Sequence, residues 1–137
     1  MPAEFSARCD AIEECYEFML AYAAKGLPGE EAGKPDAQIR EFLQRAVNVM
    51  VGLADSCRLA VEEEGLEPAE KYRAFLAVLD RDARDSLAAT ELVLAQPSIS
   101  SQLIDNLNAS IHLRALLTDL FLVGDILRSR LASRPIH

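Results

Sequence analysis

Apolar residues recur every third or fourth position through four long stretches of this chain. From about Ala3 to Lys25 the row is Phe5, Cys9, Ile12, Tyr16, Met19 and Ala23, with Glu13, Glu14 and Glu17 mostly off it. From about Asp36 to Glu64 it is Ile39, Leu43, Ala46, Met50, Leu53, Cys57 and Ala60. From about Pro68 to Ala95 it is Tyr72, Leu76, Leu79, Ala83, Ser86, Thr90 and Leu94. A last stretch, about Ser98 to Leu131, is the most apolar. That spacing places one side chain per turn on the same side of an α-helix, so four amphipathic helices are predicted. No alternation of the strand type competes.

Glycine and proline supply the punctuation. Gly26, Pro28, Gly29, Gly33 and Pro35 mark a first loop, Gly65 with Pro68 a second, and Pro97 a third. Asp36 suits an N-cap and Gly65 a left-handed C′ position, while Pro68 suits a first helical residue. Ser98, Ser100 and Ser101 all offer caps for the last helix. Gly52 and Gly124 fall inside helical patterns, where a lone glycine is tolerated. In the charged middle of the third stretch, Arg81 and Asp85 can pair one turn apart. Short connections make neighbouring helices antiparallel. The expectation is an all-α fold, an antiparallel up-down-up-down four-helix bundle formed by one domain over residues 1–132, with residues 133–137 as a flexible C-terminal tail.

The last stretch carries the clearest functional hint. Placed at about 100° per residue, it shows two polar stripes. Arg114, Thr118, Asp125 and Arg128 form one; Asp105, Asn108, His112 and Asp119 form the other, a candidate functional stripe. Between them lie a wide apolar arc (Leu113, Leu116, Leu117, Leu120, Val123 and Leu127) and a narrow one (Ile104, Ile111 and Leu122). A peripheral helix needs one apolar face, so the narrow arc is predicted to meet a second chain, most simply in a two-fold homodimer.

Composition narrows the function. Half of the 137 residues are hydrophobic, enough for a core, and the net charge is -8. An acidic surface repels phosphate, which argues against nucleic acid and anionic membranes as partners. Residues 1–31 are rich in acid, with Glu4, Asp10, Glu13, Glu14, Glu17, Glu30 and Glu31 against only Arg8 and Lys25. MPAEFSARCD lacks the apolar run of a signal peptide. Leu113–Leu127 is interrupted by Arg114, Asp119 and Asp125, too short and charged to span a bilayer. A cytoplasmic protein is expected. Cys9, Cys15 and Cys57 lack metal spacing, and read as buried small hydrophobes.

Candidate chemistry is sparse. His112 is the one histidine within the helices, and a hydrogen bond to Asn108, four residues earlier, is expected. In size and bundle architecture the chain resembles helical phosphotransfer domains, which present one histidine on a helix face. Their pattern follows it with lysine three residues on and then a small residue. Here Ala115 and Leu116 occupy those positions and the nearest cation, Arg114, lies about 200° around the helix. The resemblance is thus architectural. Asp105, His112 and Asp119 stand roughly 10.5 Å apart along a helix, too far for one metal ion. No catalytic residues, metal site or cofactor fingerprint are assigned. The leading expectation is a small non-enzymatic interaction module, homodimeric through its last helix, that docks a protein partner. A ligand-binding bundle whose cavity borrows hydroxyls from Tyr16, Tyr22 and Tyr72, or phosphotransfer at His112, are the alternatives.

Overall fold

The computed structural model describes residues 3–25 and 34–132. These residues form six α-helices and no strand: α1 (Ala3–Ala24), α2 (Lys34–Met50), α3 (Leu53–Glu63), α4 (Ala69–Leu94), α5 (Ser101–Ala109) and α6 (Ile111–Ala132). The all-α class stands. The second and fourth predicted helices are each broken in two, which turns four elements into six. Gly26–Gly33, the tail Ser133–His137 and the side chain of Asp36 lie outside the described residues; Pro35 sits in the first turn of α2.

The first break is at Gly52, whose φ of 79° places it in the left-handed region. A residue with a Cβ pays roughly 1–2 kcal/mol for that conformation, and glycine does not. The turn leaves carbonyls at the end of α2 without helical partners. Arg8 of α1 closes them, its guanidinium donating to the Val49 carbonyl at 2.8 Å and the Val51 carbonyl at 2.9 Å. A cation here also complements the negative end of the helix dipole.

The second break is at Ser110, extended at φ -62° and ψ 144°. Its hydroxyl accepts from the Leu113 amide at 3.3 Å, which makes Ser110 the N-cap of α6. Serine competes with helical hydrogen bonding in this way, and no glycine or proline is needed. Ser100 caps α5 alike, accepting from the Leu103 amide at 3.0 Å.

The remaining ends follow the sequence closely. Gly65, at φ 59°, completes a Schellman turn: its amide donates to the Glu62 carbonyl and that of Leu66 to Val61. Pro68 is the N-cap of α4, one place before its expected position. In the charged middle of α4, Arg84 pairs with Asp80 at 2.9 Å, in place of the expected Arg81–Asp85 pair.

Packing joins α1 to α2, α3 and α5, and α4 to α2, α3 and α6. Glu14 meets Arg45 while the earlier Arg8 meets the later Val49, so α1 and α2 run in opposite directions. Glu67 with Arg130, and Ser86 with His112, show the same for α4 and α6. The buried core holds all seven residues of the second predicted row and all six of the wide arc on α6. On α1, Cys15 and Tyr22 are buried, while Tyr16 and Ala23 are only partly so. Tyr22 and Ser101 clasp α1 to α5: the tyrosine hydroxyl donates to the Ile99 carbonyl at 2.6 Å, and the serine hydroxyl to the Tyr22 carbonyl at 2.7 Å.

Candidate docking site on the last helix

The break at Ser110 redistributes the predicted site. Asp105 and Asn108 belong to α5, and His112 and Asp119 to α6, so no single stripe joins them. Asp105 and His112 are exposed; Asn108 and Asp119 are buried. No hydrogen bond links His112 to Asn108, because the intervening backbone is not helical; the Asn108 Oδ1 atom lies buried with no partner among the described residues. The narrow apolar arc splits in the same way. Ile104 is 0 % exposed and packs in the core, which removes it from any dimer face. Ile111 and Leu122 are 76 % and 52 % exposed.

What remains on α6 is a helix with two sides. Leu113, Leu116, Leu120, Val123 and Leu127 face inward, while Ile111, Phe121, Leu122 and Ile126 face outward. Scattered exposed apolar residues are ordinary on a monomer; here Phe121, Leu122 and Ile126 cluster within two turns of one helix, with Ile111 about 15 Å before them. Phe121 was hidden in sequence because, at about 100° per residue, it falls within the polar stripe of Arg114, Thr118, Asp125 and Arg128.

Two depressions flank that side. Near the start of α6, Ile111, Arg114, Ala115, Thr118 and Asp119 line a shallow dimple of about 480 Å³. Further along, a groove of about 980 Å³ runs between α4 and α6. Its floor is apolar, from Tyr72, Phe75, Leu122, Val123 and Ile126, and Lys71, Asp125, Arg128 and Arg130 stand at its rim. Arg128 pairs with Asp125 at 3.1 Å and lies along Gly124, 3.3 Å from where a Cβ would stand. In contrast, the void inside the core between Ile12, Leu43, Thr90 and Leu113 measures only about 10 Å³, too little for a ligand.

Among the described residues Asp119 is the most strongly perturbed acid. Burial, and then a hydrogen bond and like charge from Asp82 on α4, raise its carboxyl from 3.8 to about 7. The charged form is poorly solvated and faces a second carboxylate, so a proton is retained. Its Oδ2 atom has no partner among the described residues. The three cysteines are buried and unpaired, each thiol pushed up to about 12 chiefly by burial. They are packing groups rather than nucleophiles.

Among the described residues no group of three His, Cys, Asp or Glu side chains is placed to hold a metal ion. No described helix is long and apolar enough to cross a membrane. Comparison with models of protein families, with curated proteins and with solved structures returned no match.

Proposed function

We propose that this protein is a small non-enzymatic interaction module that docks a protein partner and forms a homodimer through α6. The observation that carries this reading is the outward apolar face of α6, with Ile111, Phe121, Leu122 and Ile126 exposed over a closed core. Burying such a face is favourable by roughly 25 cal/mol for each Å² removed from water. Taking α2–α3 and α5–α6 as two bent legs, the helices make an antiparallel up-down-up-down bundle with α6 at its edge. Three unpaired cysteines suit a reducing, cytoplasmic setting.

Native mass spectrometry and concentration-dependent sedimentation test the reading. A dimer of two 15.0 kDa chains that Leu122→Glu or Phe121→Glu converts to folded monomer supports it. A wild-type monomer at tens of micromolar overturns the homodimer.

The groove between α4 and α6 favours a second reading, a ligand-binding protein, with an open apolar cleft in place of a buried cavity. That reading predicts extra mass of a few hundred daltons on the gently purified protein, removed by a bulky polar substitution at Phe75. Phosphotransfer at His112 retains only the exposure of that side chain in its favour.

A further inference from the structure

We infer that the partner seated on the outer face of α6 is a second copy of the same helix, packed antiparallel about a two-fold axis, with Arg114 of each protomer paired to the partner's Asp125. The inference rests on the homodimer reading and adds its register and orientation.

Arg114 and Asp125 lie eleven residues apart on α6 and both are exposed. At about 100° and 1.5 Å per residue they fall within roughly 20° of one another around the helix and about 17 Å apart along it. Thr118, Phe121 and Leu122 lie between them and are exposed too. Arg114 therefore marks one end of a flank of the apolar face, and Asp125 the other end of the same flank.

A two-fold axis across an antiparallel helix pair brings each flank against the same flank of the other copy, in reversed order. With the axis crossing midway between Arg114 and Asp125, each guanidinium comes opposite the partner's Asp125 carboxylate. The same axis sets Thr118 against the partner's Phe121, and its small side chain lets the ring approach. A parallel pair would set this flank against the partner's opposite flank, where Arg114 and Asp125 do not meet, so the two attractions would be lost.

The charges are placed to use this complementarity. The Arg114 guanidinium has no ion-pair or hydrogen-bond partner among the described residues. Among the described residues Asp125 pairs with Arg128 alone, an exposed i,i+3 pair of the kind that contributes little. Arg128 sits on the far side of Asp125, so the carboxylate can accept from both arginines at once. The groove between α4 and α6 shares Leu122 and Asp125 with this face, so such a dimer covers part of it.

Charge reversal decides the matter, with dimer dissociation constants measured by analytical ultracentrifugation in low salt and helical content followed by circular dichroism. Arg114→Asp alone and Asp125→Arg alone should each weaken the dimer at least tenfold. The double exchange should bring the constant back to within a few-fold of wild type, and raised salt should shrink all these differences. All four residues involved are exposed, so the fold should be unchanged. A wild-type monomer overturns the homodimer reading and this inference together. A dimer indifferent to both single reversals, or one that the double exchange does not restore, overturns the antiparallel register alone and leaves the homodimer standing.

Discussion

Asp119 of α6 faces Asp82 of α4, two carboxyl groups within hydrogen-bonding reach at the contact between the helices. Protonation of Asp119 removes the like-charge repulsion between them. Asp119 keeps its proton up to about pH 7 in the folded chain, against an ordinary value of 3.8.

The sign of the pH dependence follows. Between about pH 4 and pH 7 the folded state binds a proton that the unfolded chain has already released, so stability falls as pH rises through that window. Above it the cost is fully present and the dependence flattens. Asp119→Asn keeps a donor toward Asp82 without the charge. It should raise stability at pH 8 by about 1–2 kcal/mol and remove most of the slope, read from urea denaturation at several pH values. An unchanged slope would show that other groups set it.

Arg8→Ala leaves carbonyls at the end of α2 without their charged donor. A cost of about 1.5–3 kcal/mol is expected, as for hydrogen bonds to a charged group. Gly52→Ala strains the backbone at the same turn and should cost about 1–2 kcal/mol. Because the two residues serve one turn, the double variant should lose less than the two single losses together, which thermal denaturation of the three variants measures.

Ile104 and Leu122 should behave oppositely although sequence periodicity puts them on one face. Ile104→Ala removes core packing and should destabilise the monomer by about 2–5 kcal/mol. Leu122→Glu changes an exposed position and should move chemical stability of the monomer by no more than about 0.5 kcal/mol, while shifting the sedimentation coefficient.

The thiols of Cys9, Cys15 and Cys57 should resist Ellman's reagent at pH 8 in the native protein, since burial pushes each to about 12. All three should react promptly in guanidinium. A native-state reaction at the rate of a free thiol would show that one of them opens to solvent.

The all-α class and most of the core were legible because the apolar rows are long and regular. The row from Ile39 to Ala60 stays buried throughout, even across the turn at Gly52. The breaks were less legible, for different reasons. Gly52 carried a signal, since glycine favours a left-handed C-terminal position, but the apolar row runs straight past it. Ser110 carried only its capping hydroxyl, and Asn108 and Ser110 together were the sole local cue. That break misled the site reading most. It rotated α5 against α6, sending Ile104 inward and separating Asp105 from His112. The Asp82–Asp119 contact could not be read at all, because nothing in sequence sets which residues of α4 meet which of α6. Asp82 stands among the charges in the middle of the third stretch, with nothing in sequence to single it out.

Arg8 and Tyr22 stand near opposite ends of α1, and each reaches out of it to hold another helix: the end of α2 through Val49 and Val51, and the approach to α5 through Ile99. The first helix therefore cannot loosen by degrees while the others stay put. Its release would uncover carbonyls at two distant points at once. Amide hydrogens in α1, in the last turn of α2 and in the first turn of α5 should accordingly exchange with solvent through one shared opening event rather than through separate fraying of three helix ends.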